Sequence, residues 1–171
     1  MTVAPSPDDP GRDAYLAEGN AKQARKRVAA DALIRDGQGR ILLVNPTYKG
    51  GWDLPGGMAE ENEPPEAAVR RELEEELGLA VGTLRFLCVD WVTPHGPWDD
   101  LLGFVFDAGV LEPEQIAKLS PQDEEISEHR FFELDEALKR LPDRQRARAA
   151  QALRALGDGV PRYLQNGSPL C

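Results

Sequence analysis

The chain is poor in groups that cross-link or enter lipid. Two cysteines among 171 residues, Cys88 and Cys171, cannot build the disulfide framework of a small secreted fold. Cys88 lies in an apolar run from Leu84 to Val92 and reads as a small buried hydrophobe, and Cys171 as a frayed last residue. Together they fit a reducing, cytoplasmic location. No run approaches the roughly 18 apolar residues of a membrane span. Met1 to Asp13 is rich in Pro and Asp, lacks an apolar centre, and does not read as a secretory signal. Positive charge is also scarce, with 20 Lys and Arg against 30 Asp and Glu and a net charge of −10. Such a surface repels phosphate backbones and disfavours polymeric nucleic acid. A phosphate-bearing ligand would need a cation to offset the charge at its site.

What remains is ordinary globular material, 41% hydrophobic and 29% charged, of a length that suits one domain with a real core. The expected organisation is a single domain over 1–171: a disordered lead at 1–11, a helix at 12–27, a core at 28–141, and a C-terminal helix and tail at 142–171. The basic cluster Lys22, Arg25, Lys26, Arg27 reads as a solvated face. A helix ahead of the core could pack on a second copy, so a homodimer is an expectation. Val28 to Arg35 and Arg40 to Asn45 read as a hairpin around Asp36-Gly37-Gln38-Gly39. Further strands are expected at Leu84 to Val92, Leu101 to Phe106 and His129 to Leu134. Short helices are expected at Glu112 to Leu119 and Asp135 to Arg140, a terminal helix at Arg144 to Leu156, and loop from Gly157 onward. Strands and helices mix without strict alternation, which predicts an α+β layered fold.

The strongest helix is Pro64 to Leu77. Prolines suit its first turn, Gly78 its stop, and Val69, Leu73 and Leu77 give it a buried stripe at four-residue spacing. With Glu72 at zero and about 100° per residue, Glu75 falls near 300° and Glu76 near 40°, beside that stripe. Glu74 points away. Acidic runs are common on solvated helices. Three carboxylates on one arc become useful when divalent cations sit among them, because Mg²⁺ prefers hard oxygen ligands and bridges carboxylates to phosphates.

The spacing around this helix is specific. Gly57 is followed by Glu63, then by Arg71-Glu72-Leu73, Glu75-Glu76 and Gly78-Leu79. Trp52-Asp53-Leu54-Pro55-Gly56 leads in. Seven fixed residue types at background frequency give roughly one chance match in 10⁸ starts. The pattern resembles the Nudix box in every specified position, over residues 57–79.

The resemblance implies an α/β/α sandwich around a mixed sheet. It implies Mg²⁺-dependent hydrolysis, with Mn²⁺ as a substitute, of the pyrophosphate bond in a nucleoside diphosphate linked to another group: ADP-ribose, a nucleotide sugar or a nucleoside triphosphate. Glu72, Glu75, Glu76 and the Gly57 carbonyl would hold the metal. Arg71 would pair with Glu75, one turn on, and Glu63 would anchor the loop against the helix. Gly56 and Gly78 would fix backbone shape together with Pro55. A later loop would supply a base from Asp123, Glu124, Glu125 or Glu128, with Glu125 the choice. Tyr48, Trp52, Trp91 and Trp98 could stack a base, and His95 could reach a phosphate. Pro94, 15 residues beyond Leu79, resembles the ADP-ribose pyrophosphatase subgroup, and the lack of tyrosine at 94–97 weakens the dinucleoside-polyphosphate subgroup. The alternatives are a Nudix-fold nucleotide-binding regulatory module without turnover, a related isomerase that would want a reactive cysteine, and an RNA-decapping role that would want a basic groove.

Overall fold

The computed structural model describes residues 5–122 and 124–170. In chain order the elements are α1 Arg12–Ala21, β1 Arg27–Asp36, β2 Ile41–Pro46, β3 Gly56–Met58, α2 Pro65–Leu77, β4 Arg85–Val92, β5 Leu101–Leu111, α3 Pro113–Ile116, β6 Ile126–Phe132, α4 Leu134–Arg140, α5 Asp143–Asp158, β7 Arg162–Gln165 and β8 Ser168–Pro169. The strands form one mixed sheet in the order β6-β2-β1-β5-β4-β7-β8, with β3 paired to β1. β1–β5 and β4–β7 are parallel and the other pairs antiparallel.

Alternation along the strands sends side chains to two cores. Ala30, Ala32, Ile34, Leu42, Val44 and Phe106 meet Val69, Leu73 and Leu77 of α2 on one face. Leu33, Ile41, Leu43, Val105 and Phe132 meet Ala137 of α4 and Ala149 and Ala152 of α5 on the other. The result is the expected α/β/α sandwich. α2 begins after Pro64 in extended conformation and ends at Gly78 with φ 64°. There the Gly78 and Leu79 amides return to the Glu74 and Leu73 carbonyls at 2.9 and 3.1 Å, a closure that the left-handed glycine permits.

The feature that shapes the site is a fork. β1 and β2 pair only near their hairpin, at Arg35 and Ile41. Beyond it they diverge, and residues 53–58 fill the gap. Asp53 and Val44 exchange both backbone bonds at 2.9 Å, the Ala32 amide donates to the Pro55 carbonyl at 2.8 Å, and β3 pairs Gly56 with Asp31 and Gly57 with Ala30. A Cβ on Gly56, whose φ is 139°, would lie 2.2 Å from the Ala30 carbonyl oxygen, so only glycine fits the wedge.

Several expected bounds fail; β5 runs on from Phe106 to Leu111, and the helix expected over Glu112 to Leu119 is confined to Pro113–Ile116. The helix expected over 12–27 ends at Ala21, because Arg27 is drawn into extended pairing, its amide donating to the Asp100 carbonyl and its Cα opposite Leu101. The tail expected as loop from Gly157 carries helix to Asp158 and then β7 and β8, which add to the sheet through β4. The last core strand starts at Ile126, ahead of His129, because Pro46 of β2 pairs with Ile126. The expectations for residues 1–4 of the lead, for Asp123 and for Cys171 lie outside the described residues.

Candidate active site

The end of the sheet away from the β1–β2 hairpin gathers the loops 47–55 and 93–100, residues 124–125 and the turn at 166–167. α2 lies across the fork there. Glu76 is 7% exposed, and its Oε2 accepts the Gly56 amide at 3.0 Å. Glu72 is half-buried. A Cβ on Gly57 would lie 2.5 Å from the Glu72 carboxyl carbon, so the missing side chain is what lets backbone and carboxylate meet. Burial raises the pKa of Glu72 and the Arg71 guanidinium opposes it, while Glu75 and Glu125 push it up further.

Arg71 organises the acids. Its Nε and Nη2 donate to the two Glu63 oxygens, both at 3.0 Å. Nη1 donates to Glu72 at 3.0 Å and Glu75 at 2.9 Å, and Nη2 also donates to the Met58 carbonyl at 3.1 Å. Glu63 Oε2 accepts the Glu60 amide at 2.9 Å, which closes the loop onto the helix. With Glu72 and Glu75 drawn toward Arg71, and Glu76 toward Gly56, no three His, Cys, Asp or Glu side chains converge as a metal cluster among the described residues. The donor set, hard carboxylate oxygens around a side-chain-free glycine, still fits a divalent cation such as Mg²⁺.

Across from α2, the Glu124 and Glu125 carbonyls accept the Thr47 hydroxyl and amide at 2.8 and 2.7 Å. This pins the 124–125 turn to the end of β2. The charge of Glu125 reaches Glu72 and Tyr48, and that of Glu76 reaches Tyr48. Glu128 pairs with Arg130 instead. Tyr48 is 69% exposed and stands at the mouth, and its neighbour Lys49 pairs with Asp53.

The other aromatic candidates are placed differently. Trp52 is committed to packing: its ring meets Phe132 edge-on at 4.8 Å, with the Arg130 and Arg140 guanidinium groups each 5.9 Å from its centroid. Trp91 sits on β4, with β1 and β5 between it and β2, and its Nε1 donates to Asp100 at 2.7 Å, a carboxylate that Lys26 also pairs with. His95 and Trp98 close the tip of the β4–β5 loop through reciprocal backbone bonds at 3.0 Å, and the Arg27 guanidinium lies 4.7 Å from the Trp98 ring. Trp91 and His95 are thus on the far side of β1 and β5 from Tyr48. A cavity of about 690 Å³ opens beside the box loop, between Arg25, Lys26 and Arg27 on one side and Met58, Glu60 and Glu61 on the other. Its size suits a nucleotide-like ligand.

Sequence reading missed a second group. Asp31, Asp90 and Arg148 meet on the α5 face. Burial pushes Asp31 up to about 6; Arg148 opposes this and Asp53 adds to it. The signal was available as charged residues inside otherwise apolar stretches, Ala29 to Ile34 and Leu87 to Val92, since buried charge is rarely left without purpose. Cys88 is buried, as expected, and burial pushes its thiol up to about 12.

Comparison with known proteins decides the assignment. The NUDIX domain model matches residues 25–156. The chain belongs to the Nudix family. It is 32% identical over 111 residues to the phosphatase NudJ of Shigella boydii, covering 63% of this chain and 69% of that one. Among solved structures it is similar to a MutT Nudix hydrolase from Burkholderia pseudomallei, with 31% identity, a TM-score of 0.56, and coverage of 70% of this chain and 89% of that one. It shares its fold with the NUDIX domain of Shewanella oneidensis NrtR, solved with ADP ribose, at 23% identity and a TM-score of 0.68, covering 84% of this chain and 97% of that one. The protein is therefore a Nudix hydrolase. No helix among the described residues is long and apolar enough to cross a membrane.

Proposed function

We propose that this Nudix hydrolase cleaves the pyrophosphate bond of a small nucleoside-diphosphate derivative such as ADP-ribose or a nucleotide sugar, and that it requires Mg²⁺, for which Mn²⁺ substitutes. The observation that carries the reading is the meeting of Glu72 and Glu76 with Gly56 and Gly57 in the fork. Glu72, Glu75, Glu76 and the Gly57 carbonyl would hold the ion. Mg²⁺ bound there would polarise the phosphoryl oxygens and lower the pKa of the attacking water.

The chain's own groups do the rest. Arg71 holds Glu72 and Glu75 in place until a cation competes for them. Glu125 accepts the proton of the water as its oxygen bonds to phosphorus and the bridging P–O bond breaks, the electron pair leaving with the departing phosphate. Tyr48 offers an exposed ring for the base. Trp91 and His95 border the more distant part of the ligand, toward the cavity beside Met58, and Trp52 supports the loop from within. A cytoplasmic location and a homodimer through α1, which buries none of its own residues, belong to the same reading. Light scattering reads the homodimer.

The test is a screen of purified protein against ADP-ribose, nucleotide sugars, dinucleoside polyphosphates, nucleoside triphosphates and 5′-triphosphate RNA, with Mg²⁺ and with chelator. Chelator-sensitive release of phosphate products from a small nucleotide is the expected result. Tight binding of a nucleotide without turnover would overturn it in favour of a regulatory module.

A further inference from the structure

Behind the strand that carries Gly56 and Gly57, on the face away from α2, Arg148 of α5 lies buried. Its Nε donates to Asp90 Oδ2 at 3.2 Å and its Nη1 to Asp31 Oδ2 at 3.3 Å. Between those carboxylates is Gly103 of β5, paired with Ala29 of β1 and Asp90 of β4. A Cβ there would lie 2.5 Å from Arg148 Nη1, so the sheet leaves a slot for the guanidinium. The second Asp90 oxygen accepts the Gly167 amide at 2.9 Å. Arg148 thus ties β1, β5 and β4, and Asp90 carries the tie on to the β7–β8 turn.

Asp31 also faces the box through its backbone. It is the residue paired with Gly56, and a Cβ on Gly56 would lie 2.7 Å from the Asp31 Cα. The Gly56 amide in turn donates to Glu76. We infer that Arg148 is a positioning residue of the active site: through Asp31 it fixes where β1 presents Gly56 and Gly57 to Glu76 and Glu72. A buried ion pair is a poor device for stability alone, because apolar replacements of the same volume often serve as well or better. It does hold one geometry, since the planar guanidinium meets both carboxylates only in a fixed fork. There is no slack at Gly57 to absorb a shift of β1, given how closely the Glu72 carboxylate approaches it.

The inference rests on the proposed catalytic reading for its consequence and on the backbone for its test. Arg148→Lys keeps the charge and the volume and loses the fork. Amide exchange at Gly56 in the metal-free protein, followed by NMR, reads the strand directly. Calorimetric Mn²⁺ binding and the Mg²⁺ concentration for half-maximal turnover read the site. Ala152→Gly, on the same helix and fully buried, is the control for general loosening.

Arg148→Lys should speed Gly56 exchange and weaken Mn²⁺ binding, each by about tenfold, while Ala152→Gly at a matched loss of melting temperature leaves both at wild-type values. Unchanged Gly56 exchange in Arg148→Lys overturns the inference, and so does Ala152→Gly reproducing both effects. If Arg148→Lys does not fold, Asp31→Asn, which leaves the Arg148–Asp90 pair intact, is read the same way. Should the wild type bind no Mn²⁺ and hydrolyse nothing, the catalytic reading falls, and Gly56 exchange still decides the role of Arg148.

Discussion

Two arginines gather carboxylates on opposite sides of one strand pair. Arg71 of α2 holds Glu63, Glu72 and Glu75 with 25% of its side chain exposed, and Arg148 of α5 holds Asp31 and Asp90 with 6% exposed. Water reaches the first group, so its pairs are screened and yield to competition from a cation. The second group is dry. Its charges are costly to bury and costlier to strand, so the pair stays made. Similar chemistry serves as an exchangeable holder at the rim and as a fixed pin behind it, and burial alone decides which.

The comparison is broken most directly by Arg148→Met. It leaves two buried carboxylates unpaired and should cost about 3–5 kcal/mol in urea unfolding, against under about 2 kcal/mol for Arg71→Met. Equal losses would erase the distinction. Leu73→Ala, next in size, removes a fully buried side chain from the same helix as Arg71 and should cost about 2–5 kcal/mol. A harmless result would mean that α2 buries another face.

Glu76→Gln sharpens the comparison by separating charge from packing. Gln keeps an oxygen for the Gly56 amide, so the melting temperature should hold, while turnover falls at least about 100-fold, equivalent to about 2.7 kcal/mol of barrier. Full activity in the folded variant would refute the ligand role. The smallest effect belongs to the Asp36–Arg40 pair at the opposite end of the sheet, which is intermediate between the two clusters. Burial works against the Asp36 carboxylate, but hydrogen bonds from the Arg40 side chain and from the Arg40 and Gln38 amides outweigh it and hold its pKa below 3.8. A lowered pKa means stability that is complete above 3.8 and lost as pH falls through the folded-state value. Asp36→Asn should therefore cost about 1–2 kcal/mol at neutral pH and converge on the wild type in acid. A gap independent of pH would show that charge is not involved.

The box and its helix were legible in the sequence because their rules are local: prolines at the start, glycine at the stop, apolar residues one turn apart. Glu76 already fell near the buried stripe in projection, and the fold places it there at 7% exposure. The one-turn spacing also paired Arg71 with Glu75, whereas its two bonds to Glu63, eight residues back, were not foreseen. The ends of the chain were less legible because their structure is imposed from outside. Lys22 to Lys26 contains good helix formers, yet β5 claims Arg27. Arg162–Gln165 is too short and polar to announce a strand, and becomes one by pairing with Cys88 to Trp91. The Arg148 cluster joins positions 31, 90 and 148, a contact that no short-range pattern encodes.

β8, only Ser168 and Pro169, ends one side of the sheet. Proline has no amide hydrogen to offer a further strand, and a two-residue edge gives a neighbouring chain little to dock on. Behind it, β7 covers the Cys88–Trp91 stretch of β4, an apolar, β-prone segment that would otherwise be a bare ladder. The short C-terminal ribbon therefore both covers the open edge of β4 and, through the Gly167 amide, holds Asp90 from the side opposite Arg148.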